Sequence, residues 1–343
     1  MIRKVAIIGV ALSAWFAGRA MAQQIVDVHC HNILPDFVNA LNAYDAALDE
    51  TFPLPAWNME SHLKFMDSAG IKTSVLSMPA PQPYFGDAAE CQDIIRRYNE
   101  QTAAICREHP DRFRFVAALP LPDVQMAIDE AVYALDSLGA VGVKLATNSR
   151  GQYLGDAELE PLMQVLNKHK AVVIIHPHKP VPVNDHIIAT APLAIYEYPA
   201  ETTRAVINLI ARNVPARYPD IKWVIPHCGS FLPMAIPRMK AVLPAMIAKK
   251  LMQPVDFEAN LAQFYYDLAG APSAEAIASM LTITTPDHIM YASDYPYQPA
   301  VALVPGMHRL EQMLSDNRQL SPYKSLSLTD NAVRIFNLQG NEK

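Results

Sequence analysis

The chain has 343 residues, of which 51% are hydrophobic and 18% are charged, and its formal net charge is −6. A chain of this length and apolar content has ample material for the core of one large globular domain or two smaller ones. The excess of acidic residues argues against a nucleic acid or an anionic membrane surface as the partner.

The N-terminal segment is typical of a secretory signal peptide. Basic residues precede an apolar stretch, 5–18, and the small-x-small cleavage motif Ala20–Ala22 follows it. The alternative is an uncleaved membrane anchor, but the stretch is shorter than the roughly 20 residues that a membrane span needs. We therefore expect a signal peptide over 1–22, a single mature domain over 23–343 without membrane contact, and export to the periplasm or the exterior.

The first predicted strand, 25–30, runs into the tripeptide His29-Cys30-His31. Alternate residues of a strand point to the same side, so the two imidazoles leave one face and can converge on one metal ion. This spacing alone is a weak signal, because His-x-His also arises by chance among ordinary polar histidines. The rest of the sequence decides between the two interpretations.

Seven further apolar runs follow along the chain, with helical patterns between them. Short all-apolar strands are typical of a parallel sheet that is buried on both faces. Eight strands alternating with helices predict an α/β fold, a (β/α)8 TIM barrel, with a doubly wound sheet as the alternative. The predicted strands after the first are 73–78, 113–118, 140–146, 171–176, 221–226, 264–268 and 288–293.

Two of the intervening helices carry explicit sequence signals. One opens at Asp87, with Glu90 three positions later in a capping-box pattern, and continues with an apolar stripe that includes Ile94. The other is expected from Ala200 to about Arg212. Helices of this kind form the outer layer that a parallel barrel needs.

Three later strands end in a side chain that binds metals or transfers protons. His176 ends the fifth strand, His227 the sixth and Asp294 the eighth. The C-terminal ends of the strands are where a TIM barrel has its active site. Ligands from four different strands also favour a closed ring, because a doubly wound sheet would gather them at one switch point. Together with the first strand, these residues predict a metal site.

The sequence resembles the metal-dependent amidohydrolase superfamily, in the branch that contains aminocarboxymuconate semialdehyde decarboxylase and 6-methylsalicylate decarboxylase. The resemblance covers nearly all of 23–343 and implies a TIM barrel with its active site at the C-terminal ends of the strands. The motifs that carry it are Val26–His31, Gly142–Leu145, Tyr153–Asp156, Ile175–Pro177, Pro199–Thr203, Pro226–Gly229 and Ser293–Pro296.

The resemblance implies a role for each strand-end residue. The metal-binding imidazoles would be His29, His31 and His176, the carboxylate ligand would be Asp294, and His227 would be an acid/base beside the metal. One divalent ion is implied. We expect zinc, with manganese and iron as alternatives, because three imidazoles and a carboxylate accept all three metals. A histidine titrates near neutrality and suits proton exchange.

The same resemblance favours a non-oxidative decarboxylase, a carboxy-lyase of a small aromatic or unsaturated carboxylic acid. The alternative is a metal-dependent hydrolase or lactonase of a small cyclic ester or amide, because the site chemistry alone supports both reactions. A non-enzymatic exported binding protein would require a damaged ligand set, and none of the expected ligands is missing.

Three residues are expected at the substrate. The resemblance implies that Arg238, 11 positions after His227, reaches the substrate carboxylate of a neighbouring subunit in a homodimer, a task that suits the guanidinium fork. The alternative is an exposed helix arginine. Lys144 is expected as a substrate-side charge or a structural ion-pair partner, and no second metal bridged by a carboxylated lysine is expected. Tyr297 would form part of the substrate wall.

The segment 32–61 departs from aminocarboxymuconate semialdehyde decarboxylase, in which the corresponding segment supplies a lysine and an arginine. Here it contains neither residue type and carries aromatic side chains such as Phe52 and Trp57. A monocarboxylated aromatic acid, which needs one basic anchor and apolar walls, is therefore favoured over a dicarboxylated substrate. The alternative is that these aromatics merely pack a surface excursion.

The remaining histidines and the cysteines carry weaker expectations. His62 is expected at a surface or capping position, and His178 at the mouth of the site or in solvent. The four cysteines are expected to be free, buried thiols, because Cys30 points away from the side that the two histidines share. A pairing of Cys30 with Cys228 is left open.

Overall fold

The computed structural model describes residues 25–183, 192–270, 272–318 and 329–338. The predicted signal peptide lies outside these residues. Within the described ranges, we find no helix that combines the length and the hydropathy needed to cross a membrane.

Eight parallel strands form a barrel in which each strand pairs with the next one along the chain. Backbone bonds from Val28 N to Tyr291 O (3.1 Å) and from Asp294 N to His29 O (2.9 Å) close the ring. This order confirms the (β/α)8 TIM barrel and excludes the doubly wound sheet. The strands are β1 (Ile25–His31), β2 (Ile71–Ser77), β3 (Phe113–Ala118), β4 (Gly142–Ala146), β5 (Val172–His176), β6 (Lys222–Ile225), β7 (Phe264–Asp267) and β8 (Ile289–Met290).

Helices surround this barrel, and both helices with explicit sequence signals are present. In the first of these helices, the Asp87 side chain caps the N-terminus by accepting hydrogen bonds from Ala89 N (2.8 Å) and Glu90 N (3.0 Å). The second helix begins at Glu197, slightly before the predicted start at Ala200. The α-helices of the described ranges are α1 (Pro35–Ala43), α2 (Met59–Ala69), α3 (Ala88–Glu108), α4 (Val124–Tyr133), α5 (Glu160–Lys168), α6 (Glu197–Ala211), α7 (Val214–Arg217), α8 (Leu232–Ala248), α9 (Phe257–Leu261), α10 (Ala274–Met280), α11 (Ala300–Asp316) and α12 (Asn331–Ile335).

The apolar strands are buried on both faces, as the sequence predicts. Some of their side chains, such as Val75 and Ile174, fill the interior of the barrel. Their neighbours in sequence, such as Leu76 and Val173, pack in the outer core against the helices. The same alternation directs the last side chains of several strands into the mouth of the barrel.

The first strand departs from simple alternation just before its two histidines. Val28 belongs to the inner cluster, so strict alternation would turn Cys30 inward. The pairing of β1 with β2 shifts register between Asp27 and Cys30, and Cys30 packs in the outer core, where its Sγ donates to Val75 O (3.4 Å). A local irregularity of this kind re-aims side chains, and here it directs the two histidines inward.

The eighth strand is shorter than predicted, because only Ile289 and Met290 form its ladder. The segment that follows instead binds a buried carboxylate of β1. Ser293 donates to Asp27 from its backbone N (3.0 Å) and from its hydroxyl (2.5 Å). These bonds fix the backbone immediately before Asp294 against the first strand.

Candidate metal centre and active site

Three imidazoles from two strands converge at the mouth of the barrel. The ring centroids of His29 and His31 lie 5.1 Å apart, and the His176 ring lies 5.3 Å and 4.9 Å from them. One ring nitrogen from each of the three lies within 4.8 Å of the others, and all three side chains are buried. The geometry is that of a group able to hold one metal ion.

Each of these imidazoles is anchored through its Nδ1 atom. His29 Nδ1 contacts Asp267 Oδ2 (2.8 Å), and His176 Nδ1 contacts Pro177 O (2.9 Å). Since the carbonyl and the carboxylate accept, both rings carry their proton on Nδ1 and leave the lone pair on Nε2.

His31 follows the same rule through a serine. Ser77 Oγ already donates to Cys30 O (3.1 Å), so its oxygen accepts from His31 Nδ1 (3.0 Å). The Nε2 atoms of His29 and His31 are buried without a hydrogen-bond partner among the described residues. Orphaned nitrogens that converge, with the opposite ring nitrogens anchored, are what a divalent metal requires of its histidine ligands.

A carboxylate lies beside the imidazoles. Asp294 Oδ1 is 3.3 Å from His31 Nε2 and 3.8 Å from His29 Nε2, and the side chain is only 17% exposed. Burial alone would raise the pKa of Asp294, but the nearby ring of His31 and the other neighbouring imidazoles outweigh burial and hold the pKa below its usual value. The side chain is therefore an anion and adds a hard oxygen donor to the three nitrogens.

Burial also keeps most of the imidazoles neutral. It lowers the pKa of His31 to about 4 and holds the pKa values of His176 and His227 below their usual range. Burial has the same effect on His29, but the carboxylate of Asp267 outweighs it and the pKa of His29 rises. A neutral imidazole is the form that binds a metal ion.

Asp267 is a residue of this site that the sequence analysis missed. It is fully buried at the end of β7. Besides holding His29, its carboxylate accepts from the backbone N of His227 (2.9 Å) and of Ala269 (3.0 Å). The signal was present, because the apolar run Phe264–Tyr266 ends in an acid just as other strands end in site residues.

His227 follows β6 with a left-handed backbone, φ 57°. Its ring centroid lies 5.4 Å from that of His29, and one of its nitrogens lies within 4.8 Å of the ligand atoms of His29 and Asp294. Its Nδ1 atom is buried and has no hydrogen-bond partner among the described residues. At this separation, a ring nitrogen can exchange a proton with the carboxylate through one intervening water.

Gly270 packs against this ring and has a left-handed backbone, φ 81°. A Cβ atom at Gly270 would lie 3.2 Å from Cδ2 of His227, which is tighter than ordinary van der Waals contact. The glycine therefore leaves room for the position that the imidazole occupies.

We expect Gly270→Ala to lower kcat by about 10- to 100-fold, because small displacements of a reacting group cost rate on this scale. The matched control is Gly139→Ala, at a similar φ of 77° but with nothing within 4 Å of the added Cβ. Both substitutions strain the backbone by about 1–2 kcal/mol, which thermal melting measures. Equal kcat values for the two variants would contradict the packing argument.

A cavity of about 440 Å³ opens above these residues. His176, His227 and Asp294 line its base, and its walls are mostly apolar and aromatic. The volume and the lining suit a small aromatic ligand. The described wall residues include Phe52, Ala194, Ile195, Tyr198, Ala269 and Tyr297.

The three residues predicted at the substrate occupy three different environments. Tyr297 lines the cavity, with its ring edge-to-face on His31 at 5.4 Å. Lys144 is buried and is not among the residues that line the cavity, and its Nζ donates to Met78 O (2.6 Å) instead of forming the ion pair considered from sequence. Burial lowers the pKa of Lys144 to about 7. Arg238 is exposed on α8, outside the cavity of its own chain.

The expectations for the other histidines are partly wrong. His62 is fully buried rather than at the surface, and its Nδ1 accepts from Trp57 Nε1 (3.0 Å) among aromatic neighbours. His178 is also buried, against Glu50. A sequence shows no periodicity at such positions, so only the packing reveals them.

All four cysteines are free, as expected. Cys106 is only partly buried, and the other three are buried. Cys30 faces the helices, whereas Cys228 lines the cavity, so the two thiols do not pair.

Comparisons with known proteins agree with this architecture. A model of the amidohydrolase family, Amidohydro_2, matches residues 26–338. The decarboxylase yanB of Aspergillus niger is 32% identical over 329 residues, covering 91% of this chain and 87% of that protein. The 6-methylsalicylic acid decarboxylase of Penicillium expansum is 30% identical over 291 residues, covering 83% and 89%. The crystal structure of a dihydroxybenzoic acid decarboxylase from Polaromonas, with bound manganese and the inhibitor 2-nitroresorcinol, has a TM-score of 0.78 at 19% identity, covering 93% and 98%.

Proposed function

The chain belongs to the amidohydrolase family, and we propose that it is a metal-dependent, non-oxidative decarboxylase that removes CO2 from a small aromatic carboxylic acid. The observation that carries this function is the similarity to decarboxylases at 30–32% identity over most of both chains. The cavity supports it, since an apolar aromatic-lined space above a metal-binding group suits an aromatic acid.

The proposed ligands are His29, His31, His176 and Asp294, and the proposed resident ion is zinc. Manganese is the alternative, because it is bound in the Polaromonas structure and because this donor set does not discriminate strongly between divalent ions. When bound, a divalent ion would supply positive charge for the substrate carboxylate and for the oxygen of a hydroxyl group on the neighbouring ring carbon.

The protein residues have three tasks in the proposed reaction. The carbon–carbon bond to the carboxylate breaks, CO2 leaves, and a proton replaces it on the ring carbon. The walls around Tyr198 and Tyr297 orient the ring and exclude water. We assign His227 the transfer of the proton, because it lines the cavity and one of its ring nitrogens lies within 4.8 Å of the ligand atoms of His29 and Asp294.

Product analysis tests this function against hydrolysis. The metal-loaded protein is incubated with ortho-hydroxybenzoates, unsaturated acids and lactones, and the masses of the products are measured by mass spectrometry. A decarboxylase gives products that have lost the mass of CO2. Products that have only gained the mass of water would make the protein a hydrolase or lactonase with the same metal site.

We further propose that two copies form a homodimer through α8. Met234, Val242 and Met246 are exposed on this helix at intervals of four residues around Arg238, which places them along one side. An exposed apolar stripe of this kind marks an interaction surface. No lysine or arginine lines the cavity among the described residues, so a guanidinium from the second copy would add a side-chain cation beside the metal for a carboxylate substrate.

Mixed dimers test the shared site. Purified mixed dimers of Arg238→Ala and His29→Ala are expected to show about one half of wild-type activity, because each contains one intact site out of two. Each variant alone is expected to be nearly inactive. Activity is measured on purified mixed dimers carrying two different tags. Complete failure of the mixture to recover activity would exclude a site shared between subunits.

The expected signal peptide leads to a proposal about location. We propose that residues 1–22 are removed during export and that the mature protein, 23–343, acts in the periplasm or outside the cell. N-terminal sequencing of the protein from its native host would then begin at Gln23. A sequence beginning upstream would contradict this cleavage.

A further inference from the structure

One carboxylate in the cavity wall takes no part in the proposed chemistry. Glu50 lies in the segment between α1 and α2, lines the cavity and is 5% exposed. A carboxylate this buried normally has its acceptor sites satisfied by hydrogen bonds. Its surroundings therefore indicate whether the residue is structural or faces a ligand.

Among the described residues, only one of the two carboxylate oxygens of Glu50 accepts hydrogen bonds. Glu50 Oε2 accepts from Lys179 N (2.8 Å) and from the hydroxyl of Tyr198 (3.1 Å). For Oε1 the described residues provide no donor within hydrogen-bond distance, and His178 Nδ1 is 4.0 Å away. One oxygen thus fixes the side chain, while the other has no donor among the described residues and can accept one from a ligand.

The ammonium group of Lys179 forms no direct ion pair with this carboxylate. The ammonium group of Lys179 pairs with Asp49, which is more exposed, and only its backbone N bonds Glu50. The segment is held in place on the other side as well, since Leu193 N donates to Thr51 Oγ1 (2.9 Å). Glu50 is therefore a fixed acceptor rather than half of an ion pair.

Tyr198 is a second hydrogen-bond acceptor in the wall of the cavity. Its hydroxyl proton is used in the bond to Glu50, so its oxygen can only accept a further bond. Its ring lies 6.3 Å from the ring of His176, so the pair adjoins the metal-binding group. The side chains of Glu50 and Tyr198 thus present two acceptors and no donor to a ligand.

We propose that Glu50, held by Tyr198, is a specificity-determining residue that accepts a hydrogen bond from a hydroxyl or amino substituent on the substrate ring, away from the reacting carboxylate. The inference rests on the proposed decarboxylase function and names the substrate class of that same site. A donor substituent satisfies Oε1, whereas a methoxy group leaves it unpaired and a second carboxylate is repelled.

The test compares ortho-hydroxybenzoates that carry a hydroxyl, a methoxy or a carboxylate group at each remaining ring position. Burial raises the pKa of Glu50 to about 7, so rates are measured well above that pH, where the side chain is charged. At the position facing Glu50, we expect kcat/KM for the hydroxyl compound to exceed that for the methoxy compound by about 10- to 100-fold, mainly through KM.

Glu50→Gln is the decisive variant. Its amide oxygen must take the place of Oε2, which accepts two bonds, so its NH2 group replaces Oε1 and turns the free acceptor into a donor. We expect the preference for hydroxyl over methoxy to disappear or reverse. The matched control is Asp45→Asn, which removes an exposed negative charge from the same segment without reaching the cavity and should keep the wild-type preference.

Tyr198→Phe provides a second variant in case Glu50→Gln folds poorly, which thermal melting reveals. Loss of the bond that holds Glu50 should reduce the preference by about 3- to 10-fold. CO2 release with the wild-type ranking retained in the variants that fold would overturn the inference and leave the proposed function intact. Absence of CO2 from every acid would overturn both.

Discussion

Replacing His29 with alanine is expected to remove metal and activity together. The imidazole is buried, its Nε2 converges with those of the other ligands, and the carboxylate of Asp267 fixes its orientation. The charge stabilisation that a bound metal supplies is several kcal/mol, so its loss should lower the rate by at least about 1,000-fold. Metal content by plasma mass spectrometry and CO2 release are measured on the same preparation.

A matched control separates the loss of a ligand from the loss of any imidazole. His169→Ala deletes a histidine that caps α5 and lies outside the metal-binding group, where its Nδ1 contacts Val165 O. This variant should retain the metal and its rate. If His29→Ala kept both its metal and its turnover, the proposed ligand set would be wrong.

Replacing His227 with alanine should have a different signature, in which metal is retained but turnover falls. General acid/base catalysis by a positioned side chain contributes about 100- to 10,000-fold, and kcat should fall by that amount. Imidazole added to the solution should restore part of the rate, because truncation enlarges a cavity that already opens above the site. Metal content and kcat, with and without imidazole, are the measurements.

Two outcomes distinguish this role from a structural one. Loss of metal together with turnover would make His227 a ligand or a structural support rather than an acid/base. Normal turnover in the alanine variant would remove the residue from the mechanism. Thermal melting of the wild-type protein and of the His227→Ala variant shows whether the substitution has changed the fold itself.

The barrel was predictable because its strands are short, apolar and buried on both faces. Seven of the eight predicted strands match the structure to within about two residues at each end, within the usual uncertainty of element boundaries. The eighth is shorter, since Ser293 binds Asp27 instead of extending the ladder. That interaction joins opposite ends of the chain, and no local pattern encodes it.

The converging side chains were predictable for a related reason. A TIM barrel brings the C-terminal ends of its strands to one face, so His29, His176 and Asp294 could be placed together from strand positions alone. The inward direction of the two β1 histidines also depends on a register shift, which the tripeptide does not reveal.

Other features of the site depend on contacts between distant segments. Glu50 lies in an irregular segment and contacts residues 129 and 148 positions further along the chain, so its position in the cavity wall is a product of packing. The burial of His62 and the structural bond of Lys144 have the same origin. The role proposed for Arg238 requires a second copy of the chain, which a single sequence does not describe.

The most direct test of the central claim follows the carboxyl carbon itself. An ortho-hydroxybenzoate that is isotopically labelled in that carbon is incubated with metal-loaded protein, with chelated protein and with chelated protein to which metal has been restored. We expect labelled CO2 and the corresponding phenol in equal amounts, lost on chelation and regained with the metal. Label that stays in the aromatic product, or CO2 release that is indifferent to chelation, would contradict a metal-dependent decarboxylase.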